Sequence, residues 1–590
     1  MLPEQNTAPS AELARLSAEF FDAQHSADPF SATLLGVSGY DARVPDPSRI
    51  GAEASARRFA QIERELAEID VTTLGDADRI NHAVLARLAW GARSDLQHGL
   101  WEANASAEAY SSPQAMVFLA VTSAPLADAA AVDSYRQRLR QLPQYFDRVL
   151  ERYRQAKADG RIPTAVTVRQ AIDQLTGHLR LGIDDDTLVS PRLPTEVDPV
   201  VARARVAAVV ADEIRPAMRR LLAGLTDELL PAARPDEQVG IRHVPGGEEG
   251  YLAAVRRHTT TDLSPEQIHQ VGLDVLESLH SEWAEVGGRV VGTSDVPEIR
   301  RLLREDPEWR FTDSAQIVRT VAEALHRAEE ARDDWFPPYR IADCVVEEIN
   351  PIEATNAALA HYRPPAADGS RPGAHCVLTA DPQSRFRYEY EALAFHESSP
   401  GHHLQIASAQ TLTHLPAYRR FLDAQACAYI EGWGLYAERL ADEMGLYTSD
   451  AARLGMLSFD ALRACRLVVD TGMHYFGWSR QRAADFMWQH TATTRANVSN
   501  EIDRYVAWPG QALAYMIGCR EIRRLRSLAT AKLGTRFDVR QFHGAVLGSG
   551  AVPLSVLADI VERWVASATA PTGSPADSSA GWETPGHVRD

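Results

Sequence analysis

The stretch Phe395-His396-Glu397-Ser398-Ser399-Pro400-Gly401-His402-His403-Leu404-Gln405 decides how this chain is interpreted. In the common H-E-x-x-H helix the two histidines are four residues apart, so both imidazoles lie on one helical face and reach one zinc ion. Here the fourth position after the first histidine is a proline, and the next histidine comes two residues later. A regular helix would place that histidine about 9 Å further along its axis, which is too far for a shared zinc at about 2.0–2.1 Å.

The Pro400-Gly401 pair predicts a bulge or break in this helix. Proline removes a helical hydrogen bond and clashes with the preceding turn, and glycine accepts unusual backbone angles. Such a break would bring His402 back toward His396. The alternative interpretation is a helix that ends at Ser399, followed by a polar turn and two surface histidines.

A carboxylate that suits the same metal ion lies about one short helix downstream, in residues 428–438, AYIEGWGLYAE. A hydrolytic zinc site takes a third protein ligand, often a carboxylate, and leaves one position open for water. Glu431 lies in an otherwise apolar helical stretch, next to the small residues Gly432 and Gly434. This helix can therefore pack closely against the histidine helix, and a buried carboxylate without a partner would be costly there.

Two neighbours of Glu431 are secondary candidates. Glu438 lies two turns later, near the same helical face, and is expected either to accept a hydrogen bond from a ligand histidine or to form a solvated ion pair. Cys427 lies one turn before Glu431 and is a possible ligand by proximity, although a free buried cysteine is the commoner outcome.

Three motifs, in this order along the chain, carry a family resemblance. They are His-Glu-x-x-Pro-Gly-His-His-Leu-Gln at 396–405, Glu-Gly-Trp-x-Leu-Tyr-Ala-Glu at 431–438 and Arg-Tyr-x-x-x-Pro-Gly-Gln-Ala-x-x-Tyr-x-x-Gly at 504–518. Together they resemble the bacterial family catalogued as domain of unknown function 885, over about residues 15 to 566. The family name itself implies no activity.

The chain is also distantly similar to the helical zinc peptidases of the angiotensin-converting-enzyme, oligopeptidase and thermostable-carboxypeptidase type. In those proteins a Gly-His pair closes the zinc motif, a glutamate on the next helix is the third ligand, and a tyrosine in a later Gly-rich segment stabilises the oxyanion. The resemblance implies that His396, His402 and Glu431 are the metal ligands, with His403 as the alternative to His402. It also implies a mainly α-helical, two-lobed zinc-metallopeptidase-like fold with a small β-sheet beside the active-site helix.

The chemistry of such a site assigns further roles. Zinc lowers the pKa of bound water and polarises a carbonyl, so Glu397, next to a ligand, is expected to act as general base. Negative charge on the carbonyl oxygen needs a fixed donor, and Tyr515 is the first candidate, with Tyr505 the second. Both tyrosines also suit a simpler role as packed core residues with satisfied hydroxyls.

Three residues are candidates for binding substrate: Gln511, Arg504 and His375. The run from His375 to Ala380 has strand character and precedes the histidine helix, as does the run from Cys344 to Ile349. We expect the strand that begins at His375 to be an edge strand that can pair with an extended substrate, or else part of a small structural hairpin.

Composition limits the class of protein. The chain has 590 residues, with 45% hydrophobic and 24% charged residues, which predicts a globular protein with more than one core. We expect an N-terminal helical lobe over 1–235, a catalytic lobe over 236–566 and a disordered tail over 567–590. The net charge of −19 argues against nucleic-acid or membrane partners. The first residues, 1–7, lack the pattern of a signal peptide, which predicts a cytoplasmic protein.

The sequence therefore predicts a zinc-dependent hydrolase that cleaves a peptide or related amide bond in a small substrate. One alternative is a metal-dependent hydrolase or tailoring enzyme that acts on a non-peptide amide, ester or lactam. Another is a binding protein that kept the fold without turnover. The substrate, the end of the chain attacked, the native metal and the oligomeric state stay open at this stage.

Overall fold

The structure is a computed structural model that describes residues 8–124, 126–189, 193–195, 197–349, 358–367, 369, 371–421 and 427–569. The first seven residues, used above for the location of the protein, lie outside this range. So do residues 570–590 of the expected tail, whereas 567–569 form the last turn of a helix.

The described residues are mainly α-helical. The helices of the N-terminal part are α1 (Ala8–Ala27), α2 (Pro29–Leu35), α3 (Arg49–Ala67), α4 (Asp76–His98), α5 (Pro113–Ala120), α6 (Ala129–Leu139), α7 (Leu142–Ala158), α8 (Ala165–Arg180), α9 (Pro199–Val209) and α10 (Arg215–Ala223). They continue with α11 (Gly247–Thr259), α12 (Pro265–Ser278), α13 (His280–Val291), α14 (Val296–Glu305) and α15 (Ser314–Trp335).

A small sheet separates these helices from the rest. Its strands are β1 (Cys344–Glu348), β2 (Ala360–Arg363) and β3 (Gly373–Val377). The chain then forms α16 (Tyr390–Glu397), α17 (His402–Thr411), α18 (Ala417–Arg420), α19 (Cys427–Glu443), α20 (Asp450–His474), α21 (Arg480–His490), α22 (Arg495–Ala507), α23 (Ala514–Leu533), α24 (Val539–Leu547) and α25 (Leu554–Thr569). The prediction of a mainly helical protein with a small sheet next to the histidine helix is confirmed.

Prolines accompany irregularities in two helical stretches. Residues 129–158 form two helices, α6 and α7, because Pro143 lies in the first turn of α7 and has no amide hydrogen to continue a helix. Residues 199–223 stay helical, with a π turn at Val210–Ile214 before Pro216 in the first turn of α10.

The apolar side chains form two main cores. The smaller core contains Phe30 and residues between Ala105 and Leu229. The larger core combines residues of α1, α3 and α4 with residues from Val239 to Val565. The expected division at 235 stays a prediction, but the first hundred residues pack mostly with the C-terminal half.

Helix α20 is the central element of the larger core. All of its residues from Leu454 to His474 are buried. The buried charged residues include Arg463 and Arg466, which are 4% and 6% exposed, together with Asp460 and Asp470. Arginines buried to that extent need partners, and both have them beside the candidate metal site described below.

The strand order is β1-β3-β2, with β1 parallel and β2 antiparallel to β3. Of the two alternatives considered for the strand starting near His375, the sheet edge is wrong, whereas the small hairpin is confirmed by the antiparallel pairing of this strand with β2. Both of its sides are hydrogen-bonded, because β2 at Ala360–Arg363 supplies a partner that the sequence analysis did not predict. A substrate cannot add to β3 without displacing a strand.

Helices α19 and α23 approach each other at two glycines. A Cβ atom on Gly518 would lie 1.8 Å from the carbonyl oxygen of Ala428, and one on Gly432 would lie 2.5 Å from backbone atoms of Gly518. Only residues without a side chain fit at this crossing. The crossing brings Tyr515, at the start of α23, toward Glu431 on α19.

We predict that Gly518→Ala lowers the free energy of unfolding by about 1–3 kcal/mol, because the new methyl group must push two backbones apart. Chemical denaturation measures this change. Gly288→Ala in α13 is the control, since no atom lies within 4 Å of its Cβ position and alanine is the better helix former. Equal stability of the two variants would contradict the close crossing.

Candidate metal centre

The histidine helix is broken at the Pro-Gly pair, as predicted. Helix α16 ends at Glu397, and α17 begins at His402. The peptide between Ser399 and Pro400 is cis. A Cβ atom on Gly401 would lie 2.0 Å from the carbonyl oxygen of His396, so only glycine lets the chain fold back over the end of α16.

Side chains from three elements hold the residues of the break. The indole N–H of Trp433, on α19, donates to the carbonyl of Pro400 at 2.9 Å. The hydroxyl of Ser399 donates to Glu329 on α15. The Oγ atom of Ser398 lies 3.1 Å from Nδ1 of His375 on β3. The break is thus a fixed connection within the core rather than a surface turn.

Three potential ligand atoms converge below the break. The Nε2 atom of His402 lies 3.3 Å from Oε2 of Glu431, and Nε2 of His396 lies 3.6 Å from the same oxygen. One ligand atom from each of these residues lies within 4.8 Å of the others. Among the described residues, these three form the one cluster of histidine, cysteine or carboxylate side chains whose ligand atoms lie close enough together to hold a metal ion.

The donor atoms fit a tetrahedral zinc ion. Ligands at about 2.0–2.2 Å in a tetrahedron are separated from one another by about 3.3–3.6 Å. The two distances from Glu431 match these values, and its Oε2 atom makes no hydrogen bond of good geometry in the described residues. The three side chains are mostly buried, with 2%, 9% and 18% exposed for His396, His402 and Glu431.

Gly434 explains why the imidazoles can approach α19. A Cβ atom at this position would lie 2.7 Å from Cε1 and 2.8 Å from Nε2 of His396, and 3.0 Å from Cε1 of His402. The sequence analysis expected both glycines of the motif to face the histidine helix. Gly434 does so, whereas Gly432 faces α23.

Glu438 orients one of the histidines. Its Oε1 atom lies 2.8 Å from Nδ1 of His396, which leaves Nε2 of that ring directed toward Glu431. The guanidinium of Arg463 lies 3.3 Å from the same oxygen and balances the charge of this fully buried carboxylate. Of the two roles considered for Glu438, the structure shows the contact with the histidine.

The charges of the group are mutually supporting. Burial alone would lower the pKa of His396, but its contacts with Glu431 and Glu438 raise it to about 9. Burial would raise the pKa of Glu431, and the two imidazoles instead lower it well below its usual value. At neutral pH and without a metal, the raised pKa keeps His396 protonated against the ionised Glu431, and a divalent cation bound by the three side chains would take the place of that proton.

The second histidine of the His-His pair faces away from this group. Nδ1 of His403 lies 3.0 Å from the hydroxyl of Tyr362, on β2. The ring lies over Gly373, where a Cβ atom would be 2.8 Å from Nδ1. Between the two candidates, His402 is the residue that points toward Glu431.

Glu397 carries a carboxylate next to His396 in the chain. It follows His396 at the end of α16 and is partly exposed, whereas its neighbours on both sides are buried. Its carboxylate has no hydrogen bond or ion pair with any described residue. It is therefore free to contact water or substrate beside the metal group.

Tyr515 lies against the same group. Its ring is stacked near that of His396, with centroids 6.2 Å apart and planes at 20°. The guanidinium of Arg466 lies 4.1 Å from the ring centroid. Burial and the charge of Glu431 raise the pKa of Tyr515, so its hydroxyl stays protonated at neutral pH. That hydroxyl makes no hydrogen bond with any residue described in the structure.

Tyr505, the second candidate donor, is engaged elsewhere. It is fully buried, and its hydroxyl donates to Glu501 and accepts from Nε of Arg466 at 2.7 Å. A hydroxyl with both positions filled cannot also bind a substrate carbonyl. We therefore assign Tyr505 to the packing of the Arg466–Glu501 pair and retain Tyr515 alone as the donor.

The three predicted substrate-binding residues have different positions. His375 is fully buried, and burial lowers its pKa to about 3, so it is a neutral ring that positions Ser398 rather than a substrate contact. Gln511 is 3% exposed and accepts a hydrogen bond from Arg504 at 2.8 Å. Of the three, Arg504 alone is partly exposed and stays a candidate.

The sequence analysis did not single out Arg463 and Arg466. Arg463 contacts Glu438, and Arg466 forms an ion pair with Glu501 at 2.6 Å while covering Tyr515. The available signal was two arginines spaced three residues apart in a largely apolar stretch between Asp460 and Asp470. Cys427, considered above as a ligand, accepts from Gln511 at 3.5 Å and does not belong to the metal group.

The fold and the convergent group define a helical protein with a candidate metal centre in its larger core. The chain belongs to the family described as "Bacterial protein of unknown function (DUF885)", which it matches over residues 29–561. The family resemblance is therefore confirmed. No curated protein matches the chain.

Two solved structures share the fold. One, provisionally named a lipoprotein, comes from Colwellia psychrerythraea; it is 27% identical, with a TM-score of 0.88 over 95% of this chain and 100% of that one. The other, provisionally named a lipoprotein of unknown function, comes from Shewanella oneidensis; it is 18% identical, with a TM-score of 0.69 over 93% and 99%.

Neither comparison locates this chain in the cell. Among the described helices, none is long and apolar enough to cross a bilayer. The cytoplasmic location stays a prediction.

We predict that Gly434→Ala lowers the affinity for Zn²⁺ at least about tenfold while the protein stays folded, because the new methyl group displaces both imidazoles from Glu431. Competition with a chromophoric chelator measures the affinity, and circular dichroism checks the fold. The control is Gly177→Ala in α8, where no atom lies within 4 Å of the Cβ position. Unchanged zinc affinity in the Gly434 variant would argue against the assigned ligand set.

Proposed function

We propose that this protein is a zinc-dependent hydrolase that cleaves a peptide or related amide bond in a small substrate. The observation that carries the proposal is the convergence of His396, His402 and Glu431 on one point, next to the free carboxylate of Glu397. The distant similarity to helical zinc peptidases supports the peptide or amide class of substrate.

The chain supplies the parts that such a reaction needs. A bound zinc ion supplies Lewis acidity, polarising the substrate carbonyl and acidifying water. Glu397 accepts the proton of the attacking water and then delivers it to the leaving amine. Glu438 keeps the ring of His396 in one orientation through its Nδ1 atom.

Tyr515 is the proposed donor to the carbonyl oxygen. Its hydroxyl is protonated and has no competing partner among the described residues, and its ring is fixed between its contacts with His396 and Arg466. A donor held in place before the reaction stabilises developing negative charge without reorganisation.

We propose that the smaller core limits access to the site. Its segment at 104–110 contacts the end of α22, where Asn104 donates to the carbonyl of Ala507 at 3.4 Å and Tyr110 stacks on Trp508. Helix α2, which carries Phe30 of the smaller core, contacts the connection between β2 and β3, since the N–H of Ala367 donates to the carbonyl of Leu35 at 3.3 Å. We propose a two-lobed arrangement, similar to that of the helical zinc peptidases, that admits short substrates.

Substitution of the base and of a ligand separates catalysis from metal binding. We expect Glu397→Gln to keep stoichiometric zinc and to lose hydrolysis, whereas Glu431→Ala loses zinc as well. The assay is release of amino acids from a panel of short peptides with free and blocked ends, together with metal analysis. Full activity of the Gln variant would exclude Glu397 as the base, and a zinc-free wild-type protein would favour a binding role.

For Tyr515→Phe we expect kcat to fall by about 10²–10³ with little change in KM, as found when one oxyanion donor is removed. Steady-state kinetics on a peptide that the wild type cleaves provides the test. Tyr475→Phe is the matched control, since that hydroxyl binds Glu266 at the surface. A kcat equal to that of the wild type would reassign the donor.

A further inference from the structure

A cavity outside the metal centre contains several arginines. It has a volume of about 650 Å³ and lies between α14, the segment after β3 and the start of α22. The arginines of its lining are Arg304, Arg310, Arg385 and Arg495. We refer to this space as the arginine cavity.

These arginines are held by neutral groups. Arg304 donates to the carbonyl of Thr491 at 2.7 Å, Arg310 to that of Gln383 at 3.1 Å and Arg385 to that of Ala380 at 3.3 Å. None of the four forms an ion pair within 4.0 Å with a described carboxylate, although most arginine clusters of this acidic chain do. Asp381 is the one acidic residue of the lining, and it is exposed.

An aromatic ring fixes two of the guanidinium groups. The Cζ atoms of Arg304 and Arg495 lie 3.9 Å and 4.1 Å from the ring centroid of Trp488. Burial lowers the pKa of Arg304, and the neighbouring charge of Arg495 lowers it further. The ring therefore keeps the two positive charges close together, and neither forms an ion pair within 4.0 Å with a described carboxylate.

Further donors surround the same space. Helix α22, of 13 residues, starts at Arg495, and its first residues line the cavity. The side chain of Thr494 caps the N–H of Asn497, so the remaining N–H groups of the first turn and the positive end of the dipole are located there. Asn500 and Ser384 add polar side chains, and Leu359, Leu378 and Phe386 add an apolar side. The cavity thus combines anion donors with room for an organic group.

A larger cavity differs from the arginine cavity in the charges of its lining. It has a volume of about 1200 Å³ and also contains arginines, but Asp262, Asp460 and Glu521 line it with them. There Arg256 pairs with Asp262 at 3.2 Å and Arg524 with Glu521 at 2.7 Å. Because carboxylates balance the arginines of this larger cavity, the arginine cavity is the better candidate for an anion site.

We propose that the arginine cavity binds the phosphate group of a small organic phosphate ester, through Arg304, Arg385 and Arg495 and the N-terminus of α22. Guanidinium forks and helix N-termini are the groups that recognise phosphate oxygens in proteins. The apolar side at Leu359, Leu378 and Phe386 accommodates the organic part. The site is separate from the proposed hydrolytic centre and does not depend on it.

Isothermal titration calorimetry in a buffer without phosphate tests this proposal. The probes are phenyl phosphate, inorganic phosphate and malonate, added to the full-length protein after treatment with a chelator. We expect saturable 1:1 binding of phenyl phosphate, tighter than that of inorganic phosphate, and weaker binding of malonate, whose carboxylates lack the tetrahedral oxygens of a phosphate. If phenyl phosphate and inorganic phosphate bind equally tightly, the result supports a phosphate site in this cavity and identifies free phosphate as its ligand.

Matched variants locate the binding. We expect Arg495→Gln to weaken phosphate binding about tenfold or more, since hydrogen bonds to charged groups contribute strongly. Arg482→Gln is the control, because Arg482 is also exposed and lies 3.9 Å from the ring centroid of a tryptophan, Trp478, outside the cavity. Glu431→Ala is expected to bind phenyl phosphate as the wild type does, which excludes the metal centre as the binding site.

Three results would overturn the proposal. They are the lack of saturable binding of either phosphate compound, binding of malonate that is as tight as that of phenyl phosphate, and equal affinity in the Arg495→Gln and Arg482→Gln variants. Arg495 is exposed and makes no ion pair with a described residue, so its replacement leaves the folded core intact. Thermal unfolding of each variant checks this.

Discussion

The candidate site depends on the close contact of the imidazoles of His396 and His402 with helix α19 at Gly434, which has no side chain. Gly434 leaves space for both rings, and Gly401 lets the chain fold back over the end of α16. Without the fold-back at Gly401, a continuous helix would place His402 more than a turn and a half away from His396. The break at Pro400 and the glycine on the facing helix therefore act together to bring the two imidazoles to Glu431.

A layer of buried charges surrounds this contact. Glu438 and Arg463 support one imidazole, and Glu501 with Arg466 supports the ring of Tyr515. Such charges are costly to bury unless each has a partner. Their arrangement is a reason to regard the site as functional, because apolar side chains in these positions would stabilise the folded core more than buried ion pairs do.

The sequence predicted the local chemistry better than the long-range pairing. His396, His402, Glu431 and Glu438 were predicted because motif spacing and helical periodicity are local properties. The central position of β3 was missed, since strand order depends on β2 pairing across a distance. The choice between the two roles considered for Tyr505 needed the structure, because its partner Arg466 lies on another helix and no spacing links the two.

X-ray absorption spectroscopy of the zinc-loaded protein tests the central claim most directly. The account predicts one zinc per chain with nitrogen and oxygen donors at about 2.0–2.2 Å, outer-shell scattering from two imidazoles and no sulfur. A sulfur donor at about 2.3 Å, scattering from a single imidazole, or a protein that takes up no stoichiometric zinc would contradict it.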